Sequence, residues 1–319
     1  TQAANAISID TVAGDNVVNR SESRMPTLIS GAVTGDAQPG DNVAVVVNGR
    51  TFTGLVVTDE HGALRYEVAV DSSVLTEGSN NVEVTVTGVD TAGNTAVAVQ
   101  HTTVVLDTQA ANAISIDTVA GDNVVNRSES RMPTLISGAV TGDAQPGDNV
   151  AVAVNGRTFT GLVVTDEHGA LRYEVAVDSS VLTEGSNNVE VTVTGVDTAG
   201  NTAVAVQHTT VVLDTQAANA ISIDTVAGDN VVNRSESRMP TLISGAVTGD
   251  AQPGDNVAVA VNGRTFTGLV VTDEHGVLRY EVAVDSSVLT EGSNNVEVTV
   301  TGVDTAGNTA VAVQHTTVV

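Results

Sequence analysis

Three short segments of this 319-residue chain carry oxygen donors at a spacing that suits a hard cation. The run GDNVVNRSE, from Gly14 to Glu22, holds Asp15, Asn16, Asn19 and Glu22, with Asp10 just ahead of it. It returns with Asp117, Asp122, Asn123 and Glu129, and again with Asp224, Asp229 and Glu236. A second segment, DTAGN, runs from Asp90 to Asn94 and recurs from Asp197 to Asn201 and from Asp304. The third is a single aspartate, Asp107 and then Asp214, ahead of a Thr-Gln-Ala-Ala stretch. Ca2+ takes about 6 to 8 oxygens from carboxylates, amides and backbone carbonyls in loose geometry. The chain has no Cys and no paired His, so nothing favours a transition metal. The same Asp and Asn side chains also suit a metal-free role, capping turns through backbone N–H groups. The spacing leaves both readings open. It does not match an EF-hand loop or a glycine-rich nonapeptide calcium repeat.

The three segments recur because the chain repeats with a period of 107: Thr1 to Asp107, Thr108 to Asp214, and Thr215 to Val319. The copies differ at two positions only, Val46/Ala153/Ala260 and Ala63/Ala170/Val277. Solenoid units repeat every ~20 to 50 residues because none can bury a core alone, whereas ~100 residues make a complete domain. The expectation is three tandem domains, residues 1–107, 108–214 and 215–319.

The formal charge of −26 contains no lysine at all, and the first repeat sets four Arg against thirteen acids. This excludes a basic nucleic-acid footprint and argues against binding anionic lipid. Hydrophobic residues at 41%, dense in valine, predict a packed β core in place of disorder. No 18-residue apolar run exists for a membrane helix, so direct membrane insertion is not expected. Without Cys, disulfide staples and thiol chemistry are impossible. Thr1 opens directly into the repeat with no signal peptide, as a fragment of a longer protein would.

Within the first repeat, alternation predicts strand A over 6–12, B over 27–33, C over 42–47 and D over 50–58. Strands E, F and G follow over 63–70, 81–89 and 95–106. Asn48-Gly49 is a two-residue hairpin signal between C and D. Apolar parity slips after Gly54, which reads as a bulge placing Leu55 and Val57 inward. The loops 13–26 and 71–80 have room for a helical turn each. Seven short antiparallel strands with frequent turns describe an all-β immunoglobulin-like sandwich, and the absence of Trp and Cys excludes an antibody-type core. Both variable positions fall on outward parity, where an added pair of methyls does not overpack the core.

Alternating strand direction sorts the loops. The B–C, D–E and F–G turns share the leading end of each sandwich, and the A–B, C–D and E–F loops share the trailing end with the linker. Ten of the thirteen acids of the first repeat then sit at its two ends. Like charges a few ångströms apart cost of order 1 kcal/mol per pair, and a divalent cation reverses that sign. Two clusters follow: a junction cluster of Asp107 with Asp197 and Asn201, and a local one of Asp10, Asp15, Asn16, Asn19 and Glu22.

The sequences ISIDTVAGDNVVNRSE, TLISGAVTGDAQPGDNVAVVVNG and VEVTVTGVDTAGNTAVAV leading to VVLDT resemble the Ig-like extender domains of giant bacterial RTX-type adhesins, over all three copies. The most specific pieces are GDN-x-x-N-x-x-E and the D-x-x-G-N turn ahead of a linker Asp. The resemblance implies a protein exported by type I secretion to the bacterial cell surface. Its calcium-loaded repeats would stiffen into a monomeric rod, each repeat partnered by its neighbours, that carries a ligand-binding tip outward in surface attachment or biofilm. By position it assigns metal binding to Asp15, Glu22, Asp90, Asp107 and their equivalents. Where such linkers carry proline after Asp-Thr, this chain has Ala110-Ala111, so stiffness would rest more on metal. Leu64-Arg65-Tyr66 stands where strand E often has another aromatic.

Other classes fit less well. His61 and His101 lack the neighbours a catalytic motif needs. The outward pairs Thr51/Thr53 and Thr85/Thr87 allow a glycan- or ice-binding module but are ordinary strand composition. Calcium-bridged self-association remains a further alternative. Sandwiches of roughly 40 Å laid end to end would make a rod of roughly 120 Å.

Overall fold

Valine alternating with polar residues becomes strand after strand in the computed structural model, which describes residues 3–319. Thr1 and Gln2, the first residues of the first expected domain, lie outside the described residues. In the first repeat the strands are β1 (Asn5–Ile7), β2 (Val17–Asn19), β3 (Thr27–Gly35), β4 (Asn42–Val47) and β5 (Arg50–Leu55). They continue as β6 (Val57–Thr58), β7 (Leu64–Val70), β8 (Gly78–Val89) and β9 (Thr95–Asp107). One sheet has the order β1-β3-β7-β6 and the other β2-β9-β8-β4-β5, and the second repeat reproduces both. Val45, Val84 and Val104 from one sheet and Ile29, Tyr66 and Val68 from the other close a buried core. Separate clusters of equivalent residues fill the second and third repeats. Single 3-10 turns at Val12–Gly14, Glu22–Arg24 and Ser72–Val74 occupy the expected loops.

Strand A is shorter than its alternation predicts, and the chain leaves it to make a strand the sequence reading places in a loop. After β1, Ser8 and Asp10 still donate to Ala32 O and Ser30 O, at 3.1 and 2.8 Å. Positive φ at Ala13, Gly14 and Asn16 then carries the backbone across to the other sheet, a conformation Gly and Asn tolerate best. There β2 pairs with β9 in parallel, so the sandwich is not purely antiparallel and has more than seven strand segments.

The predicted strand D also divides, because β5 belongs to the five-stranded sheet and β6 to the four-stranded one. The ladder from Asn42↔Leu55 to Val47↔Arg50 runs without an extra residue, so Gly54 is no bulge. Leu55 and Val57 are each 53% exposed and Val56, between them, is buried, which reverses the expected parity. Gly54 is needed for another reason: a Cβ there would lie 2.9 Å from Val68 Cγ2, where the strand crosses close over β7. The two variable positions do face outward, with Val277 46% exposed.

Candidate functional site at the repeat junction

Parallel pairing of β2 with β9 sets Val17 opposite Val105, Val18 opposite Leu106 and Asn19 opposite Asp107. The acidic A–B loop therefore lies along the linker, and what reads in sequence as a local cluster and a junction cluster share one end of the sandwich. Within the loop the donors are preorganised by short-range bonds. Asp15 Oδ1 accepts from Val17 N at 2.9 Å and Asn16 Oδ1 from Val12 N at 2.9 Å. Asn19 Oδ1 accepts from the backbone N–H groups of Ser21 and Glu22, while Glu22 Oε2 accepts from Asn19 N at 3.0 Å. Asp122, Asn123 and Glu129 repeat these contacts, as do Asp229, Asn230 and Glu236.

The next repeat enters through its F–G turn. Asn201 Nδ2 donates to Asp107 O at 2.8 Å and to Asp197 Oδ2 at 3.0 Å, and its Oδ1 accepts from Arg20 N at 2.8 Å. Arg20 Nε donates to Thr108 O at 2.8 Å, and Glu77 accepts from Thr108 N and Oγ1, each at 2.9 Å. Asn201 and Ala199 are buried, whereas Asn94 and Ala92, at the same positions of the first repeat, are exposed. The second junction is built alike: Asn308 donates to Asp214 O and to Asp304 Oδ2 and accepts from Arg127 N, and Arg127 Nε donates to Thr215 O. These bonds form a clasp between consecutive repeats.

The remaining expected ligands divide between two fates. Asp10, Asp117 and Asp224 are not brought to the junction: each sits on the four-stranded sheet, paired with Arg65, Arg172 or Arg279 and accepting from Ser30, Ser137 or Ser244. Asp90, Asp197 and Asp304 cap their own turns, with Oδ1 accepting from two backbone N–H groups. The leading-end aspartates Asp143, Asp148 and Asp166 likewise accept from Ala111, Gln145, and His168 with Ala170. Turn capping thus occupies much of the acid set. Among the described residues, no group of three or more His, Cys, Asp or Glu side chains is placed to hold a metal. Any cation at the junction would draw on amide and carbonyl oxygens as well as carboxylates, a mixed donor set that hard cations accept.

The turn carboxylates have a pH signature. Hydrogen bonds from the backbone and then the hydroxyl of Ser73 hold Asp71 below the ordinary aspartate value of 3.8, and those from Asn94 do the same for Asp90. At Asp197 burial opposes the charged form, but the bonds from Asn201, Ala199 and Gly200 outweigh it and the net direction is again down. A carboxylate depressed in the folded state contributes stability above its unfolded value and loses it as pH falls through the folded one. The melting temperature is therefore expected to hold between about pH 5 and 7 and to drop below about pH 4. Calorimetry across that range checks it; a melting temperature that rises on acidification would contradict the assignment.

Sequence reasoning missed Arg20, whose positive side chain in a crowded acidic end was the available signal, and it missed Thr108 as the acceptor beside it. His61 and His101 lie exposed, 3.9 and 3.8 Å from Glu60 and Glu83. Thr53, Ala44, Thr85 and Val99 form one cross-strand row in the five-stranded sheet.

Tandem immunoglobulin-like sandwiches joined by acidic, hydrogen-bonded linkers define a modular structural protein. Comparison with known proteins narrows this. No family model and no curated protein matches the sequence, but solved structures do. One, described for host cell surface retention of a 1.5-MDa bacterial ice-binding adhesin, is 30% identical over 99% of this chain and 98% of its own, with TM-score 0.78. Another, a Ca2+-stabilized adhesin with which an Antarctic bacterium reaches out and binds ice, is 31% identical over 99% of this chain and 74% of its own, with TM-score 0.67. A single bacterial immunoglobulin-like domain from the M. primoryensis ice-binding adhesin is 30% identical over 34% of this chain and 99% of its own, with TM-score 0.27. The chain belongs to the Ig-like extender repeats of bacterial RTX-type adhesins. Such repeats are structural, not enzymatic.

Proposed function

We propose that the chain is a stalk segment of a secreted bacterial surface adhesin, built of three sandwiches over 1–107, 108–214 and 215–319 set end to end. Its work is to hold a distal binding region away from the cell, in surface attachment or biofilm. The observation that carries this reading is the clasp from Asn201 to Asp107 and Arg20, remade by Asn308, Asp214 and Arg127 at the next junction. Identical contacts at identical spacing fix the same step between neighbours, as a straight spacer requires.

Calcium supplements the clasp. Glu22 and Asp107, with amide and carbonyl oxygens around them, would hold it at the first junction and Glu129 and Asp214 at the second. Asp15, Asn16, Asp197 and Asn201, and Asp122, Asn123 and Asp304, would join only by giving up hydrogen bonds they now make. Among the described residues no hydrogen bond reaches Glu22 Oε1 or Asp107 Oδ2, so carboxylate oxygens remain for an ion. Bound there, the cation offsets repulsion between the crowded ends and removes linker freedom. The description of one relative as Ca2+-stabilized supports the choice of metal.

Small-angle scattering tests the reading. With calcium, a maximum dimension near 120 Å is expected for three sandwiches in line. With EDTA, the profile should become that of a bent or flexible chain, and more so in N201A than in the unchanged protein. Equal dimensions with and without metal would remove calcium from the mechanism. A short maximum dimension in both would remove the stalk.

A further inference from the structure

We propose that Asn48, Asn155 and Asn262 are latent deamidation sites, held unreactive by a side-chain clamp that the fold places on each. The sequence contains an Asn-Gly pair once per repeat, at 48–49, 155–156 and 262–263. Asn followed by Gly is chemically the most exposed case, because no side chain shields the next amide nitrogen. In the reaction the Gly49 nitrogen attacks Asn48 Cγ, a C–N bond forms, and the side-chain nitrogen leaves as ammonia. The resulting five-membered imide is opened by water at either carbonyl, leaving aspartate or isoaspartate. The net change is one amide and one water converted to a carboxylate and ammonium.

In the folded turn Asn48 and Gly49 both have positive φ, 47° and 77°. Asn48 Nδ2 donates to Val74 O at 2.8 Å and to Asn80 Oδ1 at 2.7 Å. Asn80 is itself 1% exposed, and its Nδ2 donates to Thr76 O and Gly78 O at 2.8 and 2.9 Å. The same clamp holds Asn155 through Val181 and Asn187, and Asn262 through Val288 and Asn294. For Cγ to swing onto the glycine nitrogen both bonds must break, so the reaction runs only through locally opened states.

The product cannot restore the clamp. A carboxylate has no proton for Val74 O or Asn80 Oδ1 and would set charge against two acceptor oxygens. Asn80 fastens the loop that carries Glu77, and Glu77 holds Thr108 in the linker. Each conversion thus loosens the trailing end of its own repeat, and an exposed stalk ages one junction at a time.

Site-resolved mass spectrometry of the full chain at mildly alkaline pH tests this. In the native protein, deamidation at the three turns should be slower by about tenfold or more than in urea, the factor even a shallow opening equilibrium imposes. Equal rates in the two states would overturn the clamp, and no deamidation in urea would overturn the site. N80A in the first repeat adds an internal comparison, since Val46 gives the Asn48 peptide a mass distinct from those of Asn155 and Asn262, which carry Ala153 and Ala260. Acceleration at Asn48 alone, with circular dichroism unchanged, is expected; no acceleration would reject Asn80 as the clamp. The native-to-urea comparison on the unchanged chain stands if that variant does not fold.

Discussion

A Gly31→Ala change in one repeat is expected to split thermal unfolding in two, with roughly a third of the amplitude moved to lower temperature. A Cβ at position 31 would lie 1.8 Å from Ser8 O, and 2.7 Å from both Ser8 C and Tyr66 Oη. Two of those atoms are backbone and cannot step aside. The tyrosine is buried, and its hydroxyl donates to Ser8 O at 2.7 Å. The chain after β1 must therefore leave β3, losing the Ser8-to-Ala32 bond and withdrawing Ile7 and Ile9 from the core they pack against. Overpacking of this kind costs roughly 3 kcal/mol or more. At about 4 to 8 °C per kcal/mol for a domain of this size, the altered repeat should melt more than about 10 °C early. Its neighbours keep separate cores and should not follow. Calorimetry decides it: one transition at the original temperature would mean the close crossing at Gly31 is dispensable.

Withdrawing calcium from the unchanged chain should lower its melting temperature by about 10 °C. Extracellular modules bind calcium at roughly 10⁻⁴ to 10⁻³ M. At ~10 mM calcium, mass action then contributes about 1.4 to 2.7 kcal/mol per site, which converts to roughly 6 to 20 °C. D107N should blunt the response at the first junction by removing a proposed ligand while leaving the carbonyl that Asn201 grips. Identical melting curves in calcium and EDTA would count against metal binding as a source of stability.

Much of the fold is legible because alternation survives in strands buried on one face only. Thr27–Gly35, Asn42–Val47 and Leu64–Val70 fall close to where valine and leucine at every second position put them. The misses arise where the chain changes sheets. Val17-Val18-Asn19 is too short for a periodic signal, and its parallel partner lies far along the chain, at Val105 to Asp107. Strand D reads as one run with a slipped parity because Leu55, Val56 and Val57 are all apolar, so nothing in the sequence marks Val56 as the point where the chain leaves one sheet for the other. The site was legible in its residue types and less so in its partners. Asp10 belongs to Arg65, 55 residues away, and no local spacing reveals that. Sorting the turns by strand direction did bring Asp107 and Asn201 to one junction, since the extra segment β2 and the divided strand D do not change which end each of those turns occupies.

The parallel pairing of β2 with β9 also sets how a repeat meets tension. Pulling on the two ends of a sandwich drags β2 and β9 in opposite directions along their common axis, so their hydrogen bonds are loaded in shear and must fail together. An antiparallel pair of terminal strands would peel open one bond at a time, like a zip. Once tension has passed the short β1, which pairs antiparallel with β3, the parallel strands β2 and β9 are laid in the orientation that resists tearing.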